Sequence, residues 1–260
     1  VKAGAKGVPV SGLFKAAKGF INKDFSLDSA IKTPRTRFNT KVSPNRVVEG
    51  RAFALDNLKA LRALAPGCKI NDIFLTIIGG ALRQYLESKG ELPEASLTAM
   101  APISVRGSGE KNAMGNQVSA MLVPLGSHIA DPAARLAYVH EQTINSKAMT
   151  DAIGARQMTE MSKASPALFL ALGAQLYTRL GIVDMMKPMF NTVVTNVPGP
   201  PIPIYSTGAQ LVSMHGLLCL TDGLALGHVV QSYCAQATIT FTACRKAMPD
   251  PEFYSQCLQD

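Results

Sequence analysis

The strongest hydrophobic pattern of the chain lies in residues 70–90. Asn71 is predicted to cap the start of a helix there, Asp72 to meet the positive end of the helix dipole in its first turn, and Gly90 to end it. Its first two turns carry almost no polar side chain on any face, so the helix is expected to run through the middle of a core. Apolar residues recur at a period of 3.6 residues: Ile70, Ile73, Phe74, Ile77, Ile78, Ala81, Leu82 and Tyr85.

The polar pair Asn71-Asp72 has two interpretations. Asn and Asp are the commonest residues at helix N-caps, which favours a buried cap. A polar pair that opens so apolar a helix is also typical of an active-site group held at a helix N-terminus. The residues of this segment alone leave both interpretations open.

The rest of the chain shows shorter patterns. Asp56 is predicted to cap the next helix upstream, and Asp131-Pro132 to open a longer one, in which His140 lies on the apolar stripe as a hydrogen-bonded core residue. Strands and helices that alternate in clusters indicate an α/β fold with a mixed sheet. The predicted strands are 47–55, 96–105, 116–125, 190–195, 208–214, 224–233 and 237–244, and the further helices are 57–67, 133–149, 155–161, 165–180 and one from 250 onward.

Length and composition are those of a globular protein. The 260 residues are 47% hydrophobic, and no stretch reaches 18 uninterrupted apolar residues, so no transmembrane helix is predicted. Five cysteines without metal-ligand spacing favour reduced thiols in a cytoplasmic protein. The chain has no GxSxG, P-loop or GxGxxG motif. Because it begins at Val1 rather than Met, we expect it to be part of something longer.

Positive charge is concentrated near the N-terminus. Residues 1–50 hold ten Lys and Arg against three Asp and Glu, whereas residues 51–260 hold sixteen against fifteen. This argues against a nucleic-acid-binding surface on the body of the protein. A short basic amphipathic helix at 11–21 either lies on an anionic membrane surface or packs on the domain as a connector. We treat residues 1–46 as a basic connector and residues 47–260 as the domain.

Six short motifs occur in an order that resembles a known family. The order is that of the C-terminal half of the bacterial wax ester synthase/acyl-CoA:diacylglycerol acyltransferases, from about Thr33 to the end of the chain. The resemblance implies the fold of CoA-dependent acyltransferases such as chloramphenicol acetyltransferase, in which two similar halves enclose a substrate tunnel. The motifs are Pro34-Arg35-Thr36 with Phe38-Asn39, Asn71-Asp72, Gly90-Glu91-Leu92-Pro93, Pro102-Ile103-Ser104-Val105-Arg106, Gly115-Asn116-Gln117 and Asn196-Val197-Pro198-Gly199-Pro200.

The catalytic motif of that family, His-His-x-x-x-Asp-Gly, is absent from this chain. The nearest partial match to this motif is Thr221-Asp222-Gly223, which has no histidine before it and is predicted to form a turn. In the family the motif lies in the N-terminal half. The resemblance therefore implies that this chain is inactive until an N-terminal half supplies the histidine, which removes the proton from a long-chain alcohol or diacylglycerol as it attacks acyl-CoA. Acyl-CoA is the substrate, and no cofactor or metal is implied.

The resemblance also implies residues for this half of the site. Asn71 and Asp72 match an Asn-Asp motif near the catalytic centre, as supporting residues. Asn116 and Asn196, at strand ends, are candidates to hydrogen-bond the thioester or the developing oxyanion, with turn residues as the alternative.

Two further groups concern the ends of the substrate. Ser104 and Arg106 are candidates to face the CoA phosphates. Small residues in the helix 165–180, among them Ala171 and Gly173, either allow close packing or leave a channel for the acyl chain. A non-catalytic lipid-binding or membrane-surface module of the same fold is the alternative function. In either case we expect a cytoplasmic protein peripherally associated with a membrane or lipid droplet.

Overall fold

A computed structural model describes residues 33–104, 118–164 and 187–260. The chain divides into two units, Val1–Lys32 and Thr33–Asp260, and every described residue belongs to the second. The predictions for the helix 11–21, the loop 106–115 and the helix 165–180 therefore lie outside the described residues.

The described part of the chain contains helices on a mixed sheet, as predicted. Six strands form one sheet in the order β1-β8-β7-β4-β2-β3, and β5 pairs with β6 in a separate hairpin. The strands are β1 (Arg46–Ala54), β2 (Thr98–Ser104), β3 (Val118–Pro124), β4 (Thr192–Pro198), β5 (Tyr205–Ser206), β6 (Ala209–Gln210), β7 (Leu226–Tyr233) and β8 (Gln236–Cys244), and the helices are α1 (Leu55–Ala60), α2 (Ile70–Ser88), α3 (Pro132–Ala164) and α4 (Pro251–Gln259). A 3-10 turn, Leu61–Leu64, follows α1.

The two parallel strands β2 and β4 diverge. They pair only at Ala99↔Thr192 and Met100↔Val193. Beyond this point β4 continues in parallel with β7 as far as Pro198, while β2 continues antiparallel to β3 as far as Ser104. The sheet is therefore open between the carboxyl ends of β2 and β4 in the described part of the chain.

The strand β8 alternates threonine and apolar residues, and both of its faces are buried. On one face Tyr254 of α4 packs edge-on against Phe241, with ring centroids 4.8 Å apart. On the other face the irregular segment 211–220 covers the threonines, and its Leu218 N–H donates to Thr242 Oγ1. The predicted strand 208–214 is therefore wrong beyond β6, because this segment binds side-chain hydroxyls of β8 instead of extending the sheet.

The central helix α2 is buried as predicted, and its C-terminal signal is confirmed. Gly90 has φ +67°. Its N–H donates to Glu87 O, and the Glu91 N–H donates to Leu86 O, which is the Schellman arrangement of hydrogen bonds. A glycine suits this position because its missing Cβ permits a left-handed backbone.

The predicted start of α2 is wrong by two residues. The helix begins at Ile70, and Lys69, with an extended backbone, is the N-cap residue. Asn71 already has a place in the first turn, so it does not cap the helix. Asp72 takes the capping role, because its Oδ2 accepts a hydrogen bond from the Lys69 N–H at 2.9 Å.

Two other helix predictions need correction. Asp56 does not cap α1, because the chain passes directly from β1 into the helix, and its carboxylate instead pairs with Lys59 at 3.0 Å. The predicted helices 133–149 and 155–161 form one helix, α3, since a glycine such as Gly154 costs only about 1 kcal/mol relative to alanine inside a helix. The start of α3 is confirmed, with Asp131 Oδ2 accepting from the Ala134 N–H at 2.7 Å.

None of the helices in the described ranges is both long and apolar enough to cross a membrane.

Candidate functional site

The N-terminus of α2 carries a buried carboxylate paired with a histidine. Asp72 is 1% exposed, and its Oδ2 lies 2.8 Å from Nδ1 of His140 on α3. The same oxygen accepts the capping hydrogen bond from Lys69. Sequence patterns placed Asp72 in the first turn and His140 on a buried stripe, but they contained no signal that the two helix faces meet.

This pairing orients the imidazole ring of His140. A hydrogen bond from Nδ1–H to the carboxylate leaves Nε2 as the nitrogen available to another partner. The His140 side chain is 19% exposed. Gly67, whose φ is +86°, lies beside Nε2, since a Cβ added there would be 3.5 Å from this nitrogen. The turn before α2 therefore covers His140 in part, with Gly67 next to Nε2.

Asp72 has capacity for one more hydrogen bond. Its Oδ1 is buried and has no partner among the described residues. A buried acceptor of this kind requires an explanation, and a donor from a part of the protein outside the described ranges would satisfy it. The neighbouring Cys68 thiol is not an activated nucleophile, because burial and the charge of Asp72 raise its pKa.

Contacts along α3 show which end of the sheet the Asp72–His140 pair faces. The helix runs antiparallel to both α2 and β3, so the N-terminus of α2 lies toward the start of β3. Because β2 and β3 are antiparallel, this is also the carboxyl end of β2 and of the parallel strand β4. Ligands of open α/β sheets bind at the carboxyl ends of strands. The contacts are Arg135 beside Gly80 and Gly126, His140 beside Asp72, and Ser146 bonded to Leu122.

The predicted site residues fall around this end of the sheet where they are described. Ser104 is the last residue of β2, and Asn196 is exposed on β4, so the two stand on opposite sides of the opening between the strands. Because Asn196 lies inside a strand, it is not a turn residue. Asn71 is half-buried, and its side chain has no hydrogen-bond partner in the described ranges. The other predicted residues, Arg106, Asn116, Ala171 and Gly173, lie outside the described residues.

Two buried asparagines hold β2 and β4 together at the closed end of the opening. Asn191 Oδ1 accepts from the Thr98 N–H at 2.9 Å, and its Nδ2 donates to Asn39 Oδ1 at 2.8 Å. Asn39 Nδ2 in turn donates to Phe190 O at 2.9 Å. The residues around Asn39, predicted as part of a connector, thus contribute a buried side chain to the sheet. Sequence reasoning missed Asn191, which has no motif of its own.

Thr221-Asp222-Gly223, the partial match to the catalytic motif, forms a turn, as predicted. Gly223 has φ +86°, and Asp222 Oδ1 accepts from the Val42 N–H at 2.8 Å. Its carboxylate thus has a structural partner.

The fold is shared with about half of each of two solved structures. It matches a wax ester synthase/diacylglycerol acyltransferase from Marinobacter aquaeolei VT8 with a TM-score of 0.67 at 24% identity, covering 99% of this chain and 57% of that chain. The epimerization domain of the third module of tyrocidine synthetase B matches with a TM-score of 0.51 at 15% identity, over 90% of this chain and 52% of that chain.

Sequence comparison identifies the family. The WS/DGAT C-terminal domain matches residues 114–260, and the wax ester synthase/diacylglycerol acyltransferase catalytic domain matches residues 7–74. Two putative diacylglycerol O-acyltransferases of Mycobacterium tuberculosis H37Rv are each 33% identical, over 91% and 86% of this chain and 48% of each relative. The chain therefore belongs to the wax ester synthase/diacylglycerol acyltransferase family, and it spans about half the length of these curated relatives.

Proposed function

We propose that this chain is the C-terminal half of an O-acyltransferase that moves a fatty acyl group from acyl-CoA to a long-chain alcohol or diacylglycerol. The observation that carries the proposal is family membership over about half the length of the relatives, in a chain without the His-His-x-x-x-Asp-Gly motif. An N-terminal half then supplies the histidine. As the alcohol oxygen attacks the thioester carbonyl, the histidine takes the alcohol proton, and it returns that proton to the departing CoA sulfur.

An N-terminal half needs a surface on which to pack, and one segment offers it. Seven of the twelve large apolar side chains that are exposed among the described residues fall between 189 and 217. Concentrated exposure of this kind marks interaction surfaces. The segment includes Val197, next to Asn196 on the open edge of β4. The seven are Met189, Val197, Ile202, Ile204, Tyr205, Val212 and Leu217.

Within this proposal, the N-terminus of α2 supports the catalytic centre from the side opposite the missing histidine. Asp72 holds His140 in one orientation and keeps Oδ1 for a donor from the other half. The Asn71 side-chain amide has no hydrogen-bond partner in the described ranges, so it is free to contact the substrate.

The basic segment 1–25, with Lys15 and Lys18, is proposed to hold the assembled enzyme on anionic lipid, an attraction that salt weakens.

The test supplies the missing half. The 260-residue chain alone is expected to transfer no palmitoyl group from palmitoyl-CoA to hexadecanol or dipalmitoylglycerol. Fusion to the N-terminal half of one of the Mycobacterium tuberculosis relatives should restore transfer. A matched fusion whose two motif histidines are changed to alanine is the control and should be inactive.

Two results would overturn the proposal. Ester formation by the chain alone would show that it needs no second half. A soluble, folded fusion that binds palmitoyl-CoA but forms no ester with any acceptor would support the non-catalytic lipid-binding alternative.

A further inference from the structure

An apolar groove lies beside α2, on the side that faces α1 and the first turns of α3. Its volume is about 670 Å³. Its floor is buried, whereas the rim, formed by Leu61 and Leu64 of the 3-10 turn, is exposed. The apolar residues of the floor are Leu58, Ile73, Ala81, Leu136 and Leu258.

Two charged residues line this groove: Arg135 lies in its floor and is only 7% exposed, whereas Asp260, which follows α4, is exposed. Arg135 Nε and Nη2 donate to the Ile129 and Ala130 carbonyls at 2.9 to 3.1 Å. Its guanidinium pairs with no carboxylate among the described residues. Burial and the nearby Arg83 lower the pKa of Arg135, while Asp131, which caps α3, opposes them. The floor therefore holds a buried cation without a paired counter-charge, an arrangement that costs free energy unless an anion joins it.

The remaining nitrogen of this guanidinium is the one placed to meet a ligand. Nη1 makes no hydrogen bond to any described residue. It lies against Gly80, where an added Cβ would overlap it, and Gly80 also lines the groove. The glycine thus makes room for the guanidinium in the floor of the groove.

We propose that this groove binds one long-chain fatty acid, with its carboxylate on Nη1 of Arg135 and its alkyl chain along the apolar floor. Arginine is the side chain best matched to a carboxylate. The volume falls within the range of small-ligand sites, which are mostly apolar with few polar groups. A purely apolar occupant, such as a helix of another copy, would leave the Arg135 charge unpaired. This inference does not depend on the proposed acyl transfer.

The head group of the ligand gives the first test. The 260-residue chain is titrated calorimetrically with palmitate, kept below the concentration at which it self-associates. We expect one palmitate per chain, with hexadecanol and hexadecyltrimethylammonium binding at least about tenfold more weakly, because each has the same alkyl chain without the negative charge. Equal affinity for the three compounds would overturn the proposal.

Substitutions at the exposed rim locate the site without disturbing the core. Leu64→Glu places a negative charge at the mouth and should weaken palmitate binding about tenfold, whereas the matched Leu64→Lys should retain it. Ile144→Glu, also at an exposed apolar position but outside the groove, is the control. Equal palmitate affinity in Leu64→Glu and Leu64→Lys would show that the ligand binds elsewhere and would overturn the proposal.

Arg135→Leu is the direct variant and should abolish the preference for palmitate over hexadecanol. Because Arg135 also bonds two backbone carbonyls, its fold is checked by circular dichroism. If this variant unfolds, the proposal is tested by Leu64→Glu and Leu64→Lys and by the comparison of palmitate with hexadecanol and hexadecyltrimethylammonium. Self-association of the chain that buries the groove, detected by light scattering and abolished equally by Leu64→Glu and Leu64→Lys, would show that a second copy occupies it.

Discussion

Asp72 and His140 lie 68 residues apart in sequence, and their side chains meet at 2.8 Å between α2 and α3. Asp72 Oδ2 also accepts the N–H of the cap residue Lys69. One carboxylate oxygen therefore joins the end of the central helix to the neighbouring helix. Any change that moves Asp72 acts on both the helix start and the orientation of the imidazole.

We expect Asp72→Ala to lower the free energy of unfolding by about 2.5–4 kcal/mol. It removes a helix-capping acceptor, worth about 1 kcal/mol, and a hydrogen bond to a charged group, worth about 1.5–3 kcal/mol. His140→Ala should cost less, because the capping bond survives. Urea unfolding of both single variants and the double variant measures the coupling between them.

Asp72→Asn is the matched control for this cycle, since its amide oxygen can still accept the Lys69 N–H. It should be more stable than Asp72→Ala. If the costs of Asp72→Ala and His140→Ala simply add in the double variant, the contact contributes no free energy of its own.

Asn71→Ala should leave stability nearly unchanged, within about 0.5 kcal/mol, because Asn71 is neither the cap nor bonded to a described residue. In the restored enzyme the same change should lower turnover, since the proposed function assigns its amide to substrate. Thermal unfolding and acyl transfer are measured on the same preparations, with Asn57→Ala, an exposed position on α1, as the control. Full turnover with unchanged stability would exclude Asn71 from the site.

Local patterns predicted most of the fold, because helix periods, strand alternation and glycine positions are encoded in neighbouring residues. The apolar stripe of α2 and its end at Gly90 are examples. The start of α2 was misplaced because capping by a carboxylate three residues inside the helix competes with an Asn cap. The two predicted helices after Asp131 proved to be one, because a single interior glycine is too small a cost to break a long helix.

The candidate site was less accessible to sequence reasoning. The Asn-Asp motif pointed to Asn71 and Asp72. The contact of Asp72 with His140 depends on which faces of α2 and α3 meet, and packing across the whole core decides this. The same holds for Asn191, whose bonds to Asn39 link segments far apart in the chain. Such contacts leave no periodic signal.

The interpretation of the small residues in 165–180 as the lining of an acyl-chain channel makes a separate prediction. In the restored enzyme, Ala171→Phe or Gly173→Leu should shift preference toward shorter acyl chains, since each methylene excluded from an apolar tunnel forfeits about 0.8 kcal/mol of burial. Competition between octanoyl-CoA and palmitoyl-CoA measures this change in chain-length preference directly. Ala171→Ser, a substitution of similar volume, is the control. Equal loss of activity with both donors would assign these residues to ordinary packing.

Asp250, before α4, should contribute stability that depends on pH. Its carboxylate accepts hydrogen bonds from Tyr85 Oη, at 2.6 Å, and from Lys89. Burial raises the pKa of Asp250, but the hydrogen bonds from Lys89 and Tyr85 outweigh it and hold the pKa below its ordinary value of 3.8. Because the folded state favours the ionised form, this stabilisation is present above that ordinary value and is lost as the pH falls through the lower, folded pKa.

The measurement compares the original chain with Asp250→Asn in urea at pH 7, 5 and 3. The gap in unfolding free energy should be largest at pH 7 and should narrow toward pH 3. Glu252→Gln, in the exposed first turn of α4, is the control. A gap that stays constant over this range would show that the carboxylate charge contributes nothing.

The buried histidine His228 should give a pH dependence in a different range. It is fully buried, with Nδ1 2.9 Å from Thr192 Oγ1 and Nε2 2.7 Å from Tyr254 Oη. Thr192 donates to Leu226 O, so it accepts from Nδ1–H, and Tyr254 then donates to Nε2. The neutral ring is thus satisfied at both nitrogens, and protonation would place a second donor against the tyrosine hydroxyl.

Burial lowers the pKa of His228 to about 3, although a hydrogen bond to the Val193 backbone acts to raise it. The unfolded chain protonates near the ordinary value of 6.5, so between these two values it binds a proton that the folded chain does not. The free energy of unfolding should therefore fall as the pH falls, by about 1.4 kcal/mol per pH unit from this residue. His228→Gln has no imidazole that the unfolded chain could protonate. The amount by which its unfolding free energy falls short of that of the original chain should therefore shrink at that rate between pH 6.5 and pH 4.5. His128→Gln, at an exposed position, is the control, and a deficit that stays constant across this window would mean that His228 does not remain neutral in the folded chain.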